Sequence, residues 1–122
     1  MVSGRLIFIC SHGRDDPERA ILAFMAANTA AMGGQQATVL CTIEGVRIGT
    51  RGGADEIQLE GFTPLAELVS EFLENGGEIW LCGVCTRPRG ITDDDLIEGA
   101  KIVGAARVVE EVVLGAKTIT YA

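Results

Sequence analysis

Apolar residues gather in short unbroken runs at 5–10, 37–43 and 78–82, each bounded by glycine or polar positions. Runs of that length without alternation fit strands buried on both faces of a parallel sheet. Between them the spacing becomes helical: Ile21, Phe24, Met25, Asn28 and Met32 recur on one face, with Asn28 the one polar member. The helix opens on Asp15-Asp16-Pro17-Glu18, where acid caps the free N–H groups and proline fits the first turn. Gly33-Gly34 closes it. Leu65, Leu68, Val69, Phe72 and Leu73 form the apolar face of a second helix, started by Thr63-Pro64 and stopped by Asn75-Gly76-Gly77.

Further on, 85–88 predicts a helical turn. Thr92-Asp93-Asp94-Asp95 has the form of a capping box with Asp in place of Glu and predicts a short helix through Ile97. Its three acids fit a helix start better than a metal site. Ile102-Val103 predicts a short fourth strand, 104–114 a helix despite its valines, and 118–121 a last strand. Strands alternating with helices imply a parallel sheet sandwiched between helices. In such sheets ligands gather beyond the carboxyl ends of the strands. The first three strands each carry a cysteine at or near that end (Cys10, Cys41 and Cys82), and His12 follows the first strand directly. The stretch 44–61 is polar and glycine-rich, and long loops in compact domains are functional or mobile. Its Arg47 and Arg51 read either as solvated charges or as contacts for an anion or a partner.

A length of 122 residues makes one domain, 1–122, and 48% hydrophobic residues suffice for a core. The apolar content is high for so small a domain and hints at surface covered by other subunits. A net charge of −7 with scattered basic residues argues against a nucleic-acid partner. No apolar run approaches the length of a membrane span, and residues 1–10 do not read as a signal peptide. The expectation is a cytoplasmic protein, no membrane association, and four reduced cysteines.

Cys82-Gly83-Val84-Cys85 is a CxxC at the junction of a strand and a turn, followed by Arg87 and Arg89. A helix N-terminus and nearby positive charge favour thiolate, the nucleophilic form. Three uses compete: dithiol redox chemistry, metal binding, and one reactive cysteine with an incidental neighbour. Bound metal would require Cys10, Cys41 or His12 to converge on the pair, because structural zinc takes four ligands. The thioredoxin arrangement places its CxxC after the first strand of a βαβ unit and before a long helix. Here the pair follows the third strand, and Pro88-Arg89-Gly90 interrupts any long helix. Cys10 and Cys41 read as small core residues. His12 either assists the thiolate or caps the following helix.

The segment Leu81-Cys82-Gly83-Val84-Cys85-Thr86-Arg87-Pro88-Arg89-Gly90-Ile91 resembles the cysteine loop of the DsrE/DsrF-like (DsrEFH) family, closest to the YchN branch. The similarity continues through Leu96 to Gly104, the ending Ala116 to Tyr121, and the glycine-bearing loop around Gly45 to Gly53. It implies a three-layer α/β/α sandwich with a mainly parallel five-stranded sheet, assembled as a homotrimer or homohexamer. It also implies sulfur relay through a persulfide, without metal or organic cofactor, between donor and acceptor proteins. In TusD-like and DsrE-like relatives the reactive cysteine precedes the glycine of Arg-Gly by eight residues, the spacing of Cys82 and Gly90. Cys82 is thereby the expected catalytic residue, with Cys85, His12, Arg87 and Arg89 in support. Pro88 departs from the small or polar residue expected there. Two other functions remain open at this level: a non-catalytic oligomeric module for a small anion or partner protein, and a CxxC dithiol redox protein.

Overall fold

The computed structural model describes residues 4–121. Five parallel strands, β1 (Arg5–Cys10), β2 (Gln36–Cys41), β3 (Glu78–Cys82), β4 (Ala100–Val103) and β5 (Lys117–Tyr121), form one sheet in the order β4-β3-β2-β1-β5. The runs ending at Cys10, near Ile43 and at Cys82 are thus adjacent parallel strands, in a register that pairs Cys10 with Cys41 and Cys41 with Leu81. The helices are α1 (Pro17–Met32), α2 (Leu65–Glu74), the single turn α3 (Gly83–Thr86) and α4 (Ala105–Val113).

Handedness sets which face each helix covers. The steps β1 to β2, β2 to β3 and β3 to β4 all move one strand in the same direction. Right-handed crossovers therefore put their connections on one face. The step from β4 to β5 runs back across the whole sheet, so the same handedness sends α4 to the opposite face. The core divides accordingly. Phe8, Cys10, Val39, Cys41, Ile79 and Leu81 pack under α1 and α2, while Ile7, Leu40, Trp80 and Val103 pack on the other side with Val108 of α4. One helix covers that second face thinly: Val109, Val112 and Val113 of α4 are all exposed.

The buried side of α1 is lined by alanine more than by large residues. Ala20, Ala23, Ala27 and Ala31 are buried with Ile21 and Phe24, whereas Met25 and Met32 point outward. Small side chains let the helix axis lie close to the sheet, and the long methionines are left outside. Asp16 caps α1, its Oδ1 accepting from the Arg19 N–H, with Pro17 in the first turn. Asn28 is buried and satisfied: its Nδ2 donates to Glu71 and its Oδ1 accepts from Asn75, linking α1 to the end of α2. Leu65, Leu68, Val69 and Phe72 bury the predicted face of α2, each contributing about 2 kcal/mol by burial. Phe72 meets Phe24 edge to face at 5.9 Å.

Two stretches differ from the sequence pattern. The strand expected to reach Ile43 stops at Cys41, and Ile43 has φ +54°, a left-handed conformation rare for a β-branched residue. Residues Ile43–Gly49 then form a 3₁₀ helix, with further turns through 51–56, so the long loop is structured. Gly45 abuts the Cys10 carbonyl and Gly53 the Arg47 carbonyl so closely that a Cβ at either would collide with backbone. The short helix expected through Ile97 is a single 3₁₀ turn, Asp93–Asp95, with the Asp95 carboxylate accepting from the Thr92 N–H at 2.8 Å. Leu96 leaves it to bridge Thr50, and Ile97 donates to the Gly49 carbonyl. These bonds pin the 44–61 stretch to the chain entering β4. Among the described residues no helix is long and apolar enough to cross a membrane.

Candidate functional site

Three consecutive strands, β1 to β3, send their exits over the first face, while β4 exits to α4 on the second. The carboxyl ends of β3 and β4 are therefore where neighbouring connections part, and a crevice opens at such a switch point. Cys82, the last residue of β3, pairs with Val103, the last of β4. Alternation along β3 aims Ile79 and Leu81 at the first face and Trp80 and Cys82 at the second. The half-buried Cys82 thus lines an apolar crevice of about 200 Å³ with Leu40, Val103, Gly104, Val108 and Val109. Gly104 and Ala105 open α4, so the positive end of that helix borders the thiol side of the crevice.

Cys85 lies one turn further on, in α3, and packs against the first-face core. It does not line the Cys82 crevice, and all four cysteines are free. Arg89 does not line the Cys82 crevice. Its Nε donates to Glu44 Oε2 at 2.8 Å and its Nη1 to the Cys85 carbonyl at 3.0 Å, fastening the cysteine loop to the turn after β2. Glu44 also accepts from Arg47 at 2.9 Å, and the Arg89 and Arg47 guanidiniums hold its carboxyl below the ordinary range. Arg87 is exposed. His12 bonds Asp15 through Nδ1 at 2.6 Å and is absent from the walls of the crevice. Part-burial of Asp15 raises its pKa, but the Gly13 N–H and His12 outweigh this and lower it.

Cys10 and Cys41 are core residues. Burial pushes the Cys10 thiol up to about 12, and burial with Cys10 alongside raises Cys41 well above the ordinary thiol value. Among the described residues no three His, Cys, Asp or Glu side chains gather as a metal site would require. A larger cleft of about 410 Å³ lies apart from Cys82, where Arg14, Arg47 and Arg51 come together over Gly52, Gly53 and Ile57.

Val103, Gly104 and Val108 carried no chemical signal in the sequence. Apolar residues and glycine at a strand–helix junction read as packing, and only the sheet order shows that they wall a crevice. Glu44 was equally silent, since its partner Arg89 lies 45 positions away.

A parallel α/β sheet whose switch-point crevice is lined, among the described residues, by one thiol and otherwise by apolar side chains and glycine defines the class of this protein. The chain belongs to the DsrE/DsrF-like family, whose sequence profile matches residues 4–121. An uncharacterized protein of Methanocaldococcus jannaschii is 30% identical over 82% of this chain; the chain spans 36% of that relative's length. An uncharacterized protein of Methanopyrus kandleri is 33% identical over 70% of this chain and 67% of its own. Among solved structures, the YchN protein of Escherichia coli superposes with a TM-score of 0.79 at 18% identity, covering 98% of this chain and 99% of its own. A protein of unknown function from Methanobacterium thermoautotrophicum gives 0.74 at 23% identity, covering 95% and 97%. These likenesses establish the fold.

Proposed function

We propose that this protein is a sulfur carrier that holds sulfane sulfur on Cys82 as a persulfide and acts within a homotrimer or homohexamer. The observation that carries this reading is the position of Cys82, half-buried at the switch point between β3 and β4, in an apolar crevice bordered by the first turn of α4. Loading is an exchange without net oxidation. The Cys82 thiolate attacks the outer sulfur of a donor persulfide, a new S–S bond forms, the donor's S–S bond breaks, and the donor leaves as thiolate. Delivery repeats the exchange, with an acceptor thiolate attacking the outer sulfur and Cys82 leaving as thiolate. The apolar walls keep water from the labile sulfur, and the positive end of α4 faces the place where a persulfide anion would lie.

Mass spectrometry after incubation with a persulfide donor tests this. One added sulfur atom is expected on the wild type and on Cys85→Ser, and none on Cys82→Ser. Timed alkylation of the native protein should show a fast phase that Cys82→Ser removes. Normal loading of Cys82→Ser would refute the assignment, and failure of the wild type to load would favour a non-catalytic binding module.

A further inference from the structure

The cleft beside the 44–61 loop has a chemistry unlike the rest of the surface. The protein carries a net charge of −7, yet three of its ten Lys and Arg residues line this one recess, against a single lining carboxylate, Glu44. The three guanidiniums are not equally occupied. Arg47 is held by Glu44 at 2.9 Å and Arg14 by Glu56 at 2.8 Å, the latter an exposed pair of the kind that contributes little. Arg51 has no ion pair among the described residues, and its Nη1 donates only to the Leu96 carbonyl, at a long 3.3 Å. The loop bearing Arg47 and Arg51 is fixed in place. Arg51 donates its N–H to Asp95, Thr50 bridges Leu96, and Gly53 folds against the Arg47 carbonyl where no other residue fits. The floor is apolar, made by the buried side chains of Ile48, Ile57 and Ile91.

From this arrangement we infer that the cleft binds a small organic phosphate monoester, independently of Cys82. A phosphate monoester presents nearly two negative charges and three acceptor oxygens on one head, which suits guanidiniums arriving from three chain positions. The volume of about 410 Å³ exceeds what a bare ion fills, and the isoleucine floor would receive an apolar body. An anion drawing on Arg47 competes with Glu44, whose other partner is Arg89, so occupancy would be felt at the cysteine loop.

Calorimetric titration of the full chain with phenyl phosphate at low ionic strength tests the inference, with inorganic phosphate and phenol as comparison probes. One saturable site per chain is expected for phenyl phosphate, tighter than for inorganic phosphate, with no binding of phenol. Arg51→Gln and Arg14→Gln should each weaken it about tenfold, as loss of a charge-assisted contact does. Arg19→Gln, outside the cleft, and Cys82→Ser should leave it unchanged, which separates this site from the sulfur-carrier reading. No saturable heat up to about 10 mM ligand, or undiminished binding by Arg51→Gln, would overturn it.

Discussion

Cys82 and Cys85, three residues apart in the chain, pack on opposite faces of the sheet. Cys82 ends a strand with its side chain toward α4, and Cys85 lies a turn later against the core beneath α1 and α2. A disulfide needs Cβ atoms about 4 Å apart with converging directions, and these two side chains pack on different faces of the sheet. Mild oxidation of the native protein is therefore expected to modify Cys82 or link two chains through it, without an internal Cys82–Cys85 bridge. Peptide mapping under non-reducing conditions reads this out. An internal bridge formed quickly in the folded protein would revive the dithiol redox reading.

Cys10 and Cys41 link stability to alkaline pH. The Cys10 thiol is raised from 9.0 to about 12 by burial, and Cys41 shifts in the same direction. The folded protein thus keeps protons that the unfolded chain releases above its ordinary thiol pKa. Their stabilisation is complete below about 9 and is lost as pH rises toward 12. Denaturant midpoints measured across that range should fall for the wild type. A Cys10→Ala/Cys41→Ala double variant, weaker at neutral pH from the space it opens, should show a flatter decline. Parallel slopes would show that these thiols are not the cause.

Close approach at the 44–61 loop predicts a sharp difference between glycines. Gly53→Ala forces a methyl into the Arg47 carbonyl and should destabilise by about 2 kcal/mol or more. Gly33→Ala, where the new methyl meets only ordinary contacts, should stay within about 0.5 kcal/mol of the wild type. Equilibrium unfolding in urea compares the two.

Assembly is expected to use the thinly covered second face. Val109, Val112 and Val113 of α4 are exposed there, with Val113 78% accessible in the single chain. Analytical ultracentrifugation at about micromolar concentration should return the mass of three or six chains, and Val113→Glu should lower it. A monomeric wild type would refute the assembly.

Most of the architecture was legible because it rests on short-range rules. The runs at 5–10 and 78–82, the Asp16-Pro17 cap and the Leu65-to-Phe72 stripe each fix their own element. Met25 and Met32 misled because size was weighed above fit: alanines bring α1 against the sheet, and the pattern does not display that demand. The strand end at Ile43 was misplaced for a related reason. Its β-branched side chain favours extended backbone, but Gly45 must fold against Cys10, and that tertiary contact overrides local preference. At the site, the sequence could point to Cys82 and not to its walls, since Val103 reaches it through sheet order. It left His12 open between assisting the thiol and capping the helix, and it gave no sign that Arg89 bonds Glu44 or that His12 bonds Asp15.

Trp80 is the only tryptophan in the chain, two residues before Cys82 on the same strand. It is wholly buried, with Arg5, Lys101 and Arg107 within 5.7 Å of its ring and no partner for its Nε1–H among the described residues. All indole emission therefore originates from one spot on the sheet, under a lid of guanidinium and ammonium groups and next to the β4 edge. The molecule carries its own optical gauge: events at the end of β3 that shift this lid will register as a change in colour or intensity, with no label attached.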